Sequence, residues 1–510
     1  MRRIRILATL LVAALLLLAV AWLRSAEYDE QYTLFLTGGV ARPIWGSDVI
    51  SAGDVMALQS GHATFLAIAR DLRATDVHPP LYFWTIAAWR GLMGHSLFAA
   101  RLASVLFSVV TLGMIAAIAR GVGISPAATL LTLGCYGFAY TGTTARAFAM
   151  AQMLSVAGIA VLIVARRRPW SWFAAGALLG AATFTNYLAA FVACAALLHT
   201  VVVRTATIRK ATHVDGHCRR VAPLLAITAG FAAWLPADLW YFLAQRQTRI
   251  GQFAAFEVVP TLARLAQYSV ANLFGGLPLY LHGAARSAIV VALAVLSVGL
   301  VALTILRWHR IATPETRVLL VMTAAAPPIG LLLLGVVFDN TPVELRYLAF
   351  ATPFIGLLLA AALPRYARHA VLAIQAIALI GLMTRPETMQ PARATAVAAA
   401  SLVHGGVVLL PHGNDGVGIV GAFAVESPPT LRLLVIDHDE TPAEIRARAR
   451  PYPRVVLALL GQDAASRATL PIISQAFADP CWRAAGVAFN VLAFDRDCGE
   501  GCACPAGRLP

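Results

Sequence analysis

The feature that most restricts this chain is its row of long apolar runs, among them Ile6–Leu23, Leu97–Ala119, Ser287–Leu306 and Val318–Val337. Each approaches the ~20 residues that cross a bilayer as a helix. In hydrocarbon a backbone must satisfy its own N–H and C=O groups, so runs of this kind span as helices. The mean hydropathy of +0.74 and the 13% share of charged residues, about half of what a globular protein carries, point the same way. The sequence reads as a polytopic membrane protein with an all-α membrane domain.

A net charge of +15 would suggest nucleic acid in a soluble protein. Here the cations gather in short loops between apolar runs, the pattern of the positive-inside rule, so the charge reports orientation and no nucleic-acid partner is expected. The lone lysine, Lys210, leaves no Gly-Lys-Ser/Thr phosphate loop and almost no scope for Schiff-base chemistry. Met1-Arg2-Arg3-Ile4-Arg5 before Ile6–Leu23 could open a cleaved signal peptide, but the run is long for one and reads as a first span with a cytoplasmic N-terminus.

Leu81–Met93 has 13 residues, too short to span, and follows His78-Pro79-Pro80, which stops any preceding helix. With it set aside, eleven spans are expected: Ile6–Leu23, Leu97–Ala119, Ala127–Thr143, Phe148–Ala165, Ser171–Thr185, Ala189–Val203, Val221–Leu243, Ser287–Leu306, Val318–Val337, Tyr347–Ala362 and Val371–Met383. This count puts Arg166-Arg167-Arg168 and the basic loop Arg204 to Arg220 in the cytoplasm, and an external loop from Ala244 to Ala285. Letting Leu81–Met93 span would put the arginine triplet outside, against the rule.

Residues 1–385 form the expected membrane domain, with a first external loop over 24–96. That loop is expected to hold short helices along the membrane surface. Over 386–510 the apolar runs shorten to strand length, at Val407–Leu410, Arg432–Ile436, Arg454–Leu460 and Val487–Phe494. They alternate with helical patterns at Pro442–Arg450 and Ala464–Phe477, which predicts an α/β domain, extracytoplasmic by the span count. Four of the seven cysteines, Cys481, Cys498, Cys502 and Cys504, fall there. In an oxidising compartment they suggest two disulfides in any of three pairings; a zinc site and free thiols are the rival readings. Gly416-Val417-Gly418-Ile419-Val420-Gly421 imitates a dinucleotide fingerprint, with Asp437 about twenty residues on. Its distance from the preceding strand favours a glycine-rich turn packed on the sheet.

Two polar clusters flank the first loop: Glu27-Tyr28-Asp29-Glu30 and Asp76-Val77-His78-Pro79-Pro80-Leu81-Tyr82. A carboxylate such as Asp29, partly desolvated beside an arginine, can act as a general base; a solvated juxtamembrane pair is the plainer reading. The span count puts Asp76, His78, Arg146, Asn186, Tyr187, Arg346 and Tyr347 on that same outer face. Carboxylates with arginines suit an anionic lipid phosphate, whose oxygens match the guanidinium fork.

These clusters, with Arg101-Leu102-Ala103-Ser104, Ala145-Arg146-Ala147-Phe148, Thr185-Asn186-Tyr187 and Arg346-Tyr347-Leu348, resemble glycosyltransferase family 39. Ala103 stands where that family has a proline, Thr144 where an acid is common, and Val77 where some relatives have an acid. The resemblance covers roughly residues 1–385. It implies a GT-C membrane fold and transfer of a sugar from a polyprenyl-phosphate donor to a lipid, glycan or protein hydroxyl. The implied home is the outer face of a bacterial inner membrane. It implies Asp29 as the catalytic base, Glu30 as a supporting carboxylate and Asp76 as a further acid. His78, Tyr82, Arg146, Tyr187, Arg346 and Tyr347 would bind substrate, with the two arginines toward the lipid phosphate. A divalent cation is left open and no other cofactor is expected. The rival readings are a transporter, for which no internal repeat is found, and a carrier-binding protein without chemistry.

Overall fold

The computed structural model describes residues 2–46, 48–164, 169–209, 216–245, 255–310, 313–340, 343–384, 391–461 and 464–497. The chain divides into two compact units. One comprises Met1–Leu23, Ala69–Thr85 and Arg101–Arg385; the other comprises Arg24–Ile68, Ile86–Ala100 and Pro386–Pro510. The sheet-bearing unit therefore takes in much of the first loop as well as the C-terminal segment.

Among the described residues, six helices are long and apolar enough to cross a membrane: Ile6–Leu23, Leu97–Gly121, Gly283–Leu306, Pro314–Phe338, Leu345–Ala362 and Arg365–Thr384. A seventh is reached if Val221–Ala232 and Leu235–Gln245, bent by 44°, form one span. Phe148–Ile163 and Tyr187–Val203 are apolar but shorter.

The expected run Ala127–Thr143 is two short helices, Ala128–Leu133 and Tyr136–Thr141, broken at Gly134-Cys135. The break is upheld by side chains from elsewhere. Gln375 Nε2 donates to the carbonyls of Leu131 at 3.2 Å and Leu273 at 2.8 Å, and Asn272 Oδ1 accepts from the N–H of Gly137 at 2.7 Å. Irregular backbone at membrane depth needs partners of this kind. The stretch expected as an external loop, Ala244 to Ala285, contains a helix, Val258–Leu273. Helices Pro169–Thr183 and Gly216–Ala232 approach through glycine: a Cβ on Gly176 would lie 2.0 Å from the Ile227 carbonyl oxygen, and one on Gly230 2.1 Å from that of Phe173. Small residues let apolar helices pack backbone to backbone where hydrophobic drive is absent. The arginine triplet at 166–168 and most of the cytoplasmic loop expected at 204–220 lie outside the described residues or outside those with described side chains.

The second unit is built on a sheet of β1 (Ile50–Ser51), β2 (Val407–Pro411), β3 (Arg432–Ile436), β4 (Arg454–Ala458), β5 (Trp482–Ala488) and β6 (Val491–Arg496). Their spatial order is β1-β3-β2-β4-β6-β5. Strands β3, β2 and β4 run parallel, and β1, β6 and β5 are antiparallel additions. Six helices cover it: α1 (Tyr28–Gly38), α2 (Ala52–Gln59), α3 (Ala392–Leu402), α4 (Gly418–Val425), α5 (Pro442–Ala449) and α6 (Ala464–Ala476).

One face of the sheet packs Phe35, Ala52, Val55, Ala396, Ala399, Val420 and Phe423 against Val408, Leu410, Leu433 and Val456. The other packs Ile445, Ala449, Ile473 and Phe477 against Leu409, Leu434, Ile436 and Leu457. Residues on both faces of the parallel strands are thus buried, which is why these strands are unbroken apolar runs. Helices α1 and α2, from the first loop, bury their apolar sides on this sheet.

The predicted strand Val487–Phe494 is really the hairpin of β5 and β6, turning at Phe489-Asn490. Asn490 has φ of +50°, the left-handed conformation a two-residue hairpin turn demands and asparagine tolerates. Cys481 is disulfide-bonded, while Cys135 and Cys194 are free. Cys498, Cys502 and Cys504 lie outside the described residues.

Candidate active site

The predicted site residues divide between the two units. Asp29 and Glu30 belong to the sheet-bearing unit. Asp76, His78, Tyr82, Arg146, Tyr187, Arg346 and Tyr347 belong to the helical one.

In the sheet-bearing unit, Asp29 and Glu30 occupy the first turn of α1, where the helix dipole favours negative charge. Asp29 is half-buried. Glu30 is fully buried and reaches back, its Oε2 accepting from the N–H of Glu27 at 3.0 Å. That bond is one half of a capping box and ties up one oxygen of Glu30. Glu27 in turn takes Arg24 Nη2 at 2.6 Å, both side chains being buried. Glu426 accepts from the N–H of Ala26 at 2.6 Å and from Arg393 Nε at 2.7 Å, while Arg393 Nη2 donates to the Arg24 carbonyl at 3.0 Å. Two arginine–carboxylate pairs thus fix the chain immediately before Asp29. None of these partners carries a motif; only the charge of Glu27 beside Asp29 hinted at them.

In the helical unit, Asp76 Oδ1 accepts from the N–H of Val77 at 2.7 Å and lies 3.2 Å from His78 Nδ1. Gln245 joins this loop to a second predicted residue. Its Nε2 donates to the carbonyls of Leu72 at 2.9 Å and His78 at 3.1 Å, and its Oε1 accepts from the Tyr187 hydroxyl at 3.0 Å. The backbone of His78, whose ring faces Asp76, is therefore tied to Tyr187 by a glutamine that sequence reasoning missed, since one neutral residue at a helix end has no signature. Tyr82 is buried, its ring edge-on to Phe83 with centroids 5.2 Å apart.

Arg146 is buried at the start of the helix Phe148–Val164, where Ser104 Oγ donates to the Thr144 carbonyl at 2.7 Å. Tyr347 stacks on Phe148 with centroids 6.2 Å apart and shares an apolar cluster with Leu188. Arg346 pairs with Glu344 at 2.8 Å and lies over the Tyr347 ring at 5.6 Å. The segments around Arg146, Tyr187 and Arg346 are thus linked through Phe148, Leu188 and Tyr347.

An open cavity of about 710 Å³ lies past the carboxyl ends of β2 and β3, lined among others by Trp45, His412, Asp415, Asp437, Glu440 and Arg448. Much of that polar lining is spent internally. Arg448 Nη1 donates to both oxygens of Glu440 at 2.5 Å. Asp437 Oδ1 accepts from the N–H of His438 at 2.7 Å and faces its Nδ1 at 2.5 Å. Partial burial favours the neutral form of Asp437, but the two His438 bonds together with the nearby imidazoles of His412 and His438 outweigh it and hold the carboxyl below its ordinary range. Among the described residues, the group of side chains able to hold a metal ion is Asp437, His438 and Asp439, which includes none of the predicted catalytic residues.

The glycine-rich turn has its own explanation. A Cβ on Gly418 would lie 2.2 Å from the Tyr28 ring, and one on Gly421 2.8 Å from Gln31 Oε1. Gly416 has φ of +68°. The glycines admit α1, and its side chains fill the space above the turn.

Residues 77–240 match the family model for dolichyl-phosphate-mannose-protein mannosyltransferases. No curated protein matches by sequence. Among solved structures, ArnT from Cupriavidus metallidurans bound to undecaprenyl phosphate aligns with a TM-score of 0.51 at 12% identity, over 96% of this chain and 97% of that one. Its apo state aligns with a TM-score of 0.51 at 13% identity, over 97% and 98%. At such identity the structural match shows the fold, and the family model bears on the activity. Together they carry the resemblance to glycosyltransferase family 39, and the chain is a membrane glycosyltransferase similar to that family, with the GT-C fold.

Proposed function

We propose that the protein transfers a sugar from a polyprenyl-phosphate donor to the hydroxyl of a lipid, glycan or protein acceptor at the outer face of a bacterial inner membrane. The family match over 77–240 carries this reading. The undecaprenyl phosphate bound by the ArnT of shared fold supports the donor class. In this reading the chain crosses the membrane eleven times, with a cytoplasmic N-terminus and an extracytoplasmic α/β domain.

The chemistry follows from the residue types. The acceptor oxygen attacks the anomeric carbon, the bond from that carbon to the phosphate oxygen breaks, and the polyprenyl phosphate leaves with the bonding pair. Asp29 takes the acceptor proton as it attacks, a role worth about 10²–10⁴ in rate for a well-placed general base. Its place in a first helical turn favours the ionised form that a base requires. Glu30 supports that turn and Asp76 is the further acid. Arg146 and Arg346 take the phosphate, whose charge grows as the sugar departs and is stabilised by fixed donors. His78, Tyr82, Tyr187 and Tyr347 shape the donor site.

The test is sugar transfer from polyprenyl-phosphate sugars in membranes carrying wild type or Asp29→Asn, which keeps size and removes the charge. Wild type should transfer and the variant should lose at least about 10²-fold in kcat while expressing normally. Equal transfer by both would strip Asp29 of its role. Carrier binding without transfer by either would replace the transferase with a carrier-binding protein.

A further inference from the structure

Asp29 has a tyrosine on each side in α1: Tyr28 one residue before it and Tyr32 three after. The i, i+4 spacing puts both rings on one face of the helix. Their hydroxyls donate to the same atom, Oδ2 of Asp415, a residue almost four hundred positions later in the chain. Asp415 is itself held by backbone, its Oδ1 accepting from the N–H groups of Val417 at 2.8 Å and Gly418 at 3.1 Å at the start of α4. The loop that carries it is fixed in turn: the Gly416 carbonyl accepts from Trp45 Nε1 at 2.5 Å. The glycines at 418 and 421 remove the two Cβ atoms that would push α1 away. One carboxylate therefore anchors both tyrosines that flank Asp29 on the first turns of α1.

We infer that Asp415 is a positioning residue for Asp29, holding the general base at its working angle through Tyr28 and Tyr32; this rests on the role proposed for Asp29. Ion pairing before the helix fixes where α1 begins. Past Asp29, Gln59 Nε2 donates to Gln31 Oε1 at 3.0 Å and Arg90 Nη1 to the Leu34 carbonyl at 3.0 Å, and the two tyrosine bonds add a hold at the turn that carries Asp29 itself. A catalytic group displaced by about 1 Å loses on the order of 10²-fold in rate. Such a loss falls on kcat, because donor binding does not pass through these groups.

The experiment measures kcat and donor KM on the full-length protein with a polyprenyl-phosphate sugar, for four variants. Tyr28→Phe/Tyr32→Phe deletes only the two hydroxyls. Asp415→Ala deletes their acceptor, and Asp415→Asn restores a polar partner, because its amide can donate to both phenol oxygens. The fourth combines Asp415→Ala with the two phenylalanines. The first two should each lower kcat at least about tenfold with donor KM within a factor of about two. The combined variant should fall no further than Asp415→Ala, and Asp415→Asn should recover most of the rate. Wild-type kcat in Tyr28→Phe/Tyr32→Phe overturns the inference, as does a loss confined to KM. If Asp415→Ala fails to fold, the tyrosine pair alone decides, since it leaves the carboxylate and its backbone bonds in place. Asp29→Asn run alongside separates the two failures. If it is dead while the tyrosine variant is fully active, only the positioning role falls; if it is fully active, the base and its positioning residue fall together.

Discussion

Two of the predicted site segments, one in each unit, are held by opposite means: the chain before Asp29 and the contact between the His78 loop and Tyr187. Before Asp29 the chain is gripped by charge: Arg24 on Glu27 at 2.6 Å, with Arg393 on Glu426 at 2.7 Å. Between the His78 loop and Tyr187 the grip is neutral: one glutamine, two backbone carbonyls and a phenol. A buried ion pair has a large desolvation cost that only its partner offsets, so losing one partner is severe. A neutral knot costs less to break because no charge is stranded. The charged grip is therefore stiffer and more vulnerable, and the neutral one more tolerant.

The largest effect should come from Arg24→Ala. Glu27 is 2% exposed and would be left as a buried carboxylate short of its cation, at a cost of about 3–5 kcal/mol. Thermal unfolding of the purified protein, read with proteolysis of the sheet-bearing unit, should show the loss there. Arg24→Met with Glu27→Gln should recover most of it, because no charge remains to strand. A double variant as unstable as Arg24→Ala alone would mean that packing, not charge, makes the grip.

Gln245→Leu tests the neutral side. It leaves the His78 and Leu72 carbonyls and the Tyr187 hydroxyl without their shared partner, at about 1–3 kcal/mol. The expected result is a smaller fall in unfolding temperature than for Arg24→Ala, with weaker donor binding as the loop carrying Asp76 and His78 loosens. A fall equal to or greater than that of Arg24→Ala would reverse the ranking on which the comparison rests.

The same contrast separates what was legible in the sequence from what was not. Strands β2, β3 and β4 were readable because a parallel strand buried on both faces is apolar throughout its buried positions; Arg432–Ile436 was placed to the residue. Helices α5 and α6 were placed to within a residue at their ends. The 13-residue helix Leu81–Met93 was also bounded correctly, since the prolines before it and Gly94 after it are local signals. What could not be read depends on distant partners. The break at Gly134 is made tolerable by Gln375 and Asn272, over a hundred residues away, so the run looked continuous. Helices α1 and α2 were expected along a membrane surface, yet their apolar sides face a sheet formed more than three hundred and fifty residues later. The candidate site followed the same rule. Its residues announce themselves by type, while Gln245, Asp415, Arg393 and Glu426, which hold them, do so only through geometry.

The smallest predicted effect extends the comparison to acid. Arg454 grips Asp495 across the β4–β6 pair, Nε to Oδ1 at 2.5 Å and Nη2 to Oδ2 at 2.7 Å. That hydrogen bonding holds the Asp495 carboxyl below its ordinary value of about 3.9. A carboxyl with a depressed folded-state pKa stabilises the fold above its unfolded value, and the contribution is lost as pH falls through the folded one. The Asp495 side chain is 45% exposed, so screening limits the contribution to under about 1 kcal/mol. Unfolding of wild type and Asp495→Asn should therefore differ slightly at pH 7 and converge below about pH 3. The partners of Gln245 are two backbone carbonyls and a phenol, none of which titrates in acid, so Gln245→Leu should keep the same offset from wild type across that range. If instead its offset closes in acid and that of Asp495→Asn does not, charge and neutrality have been assigned to the wrong contacts.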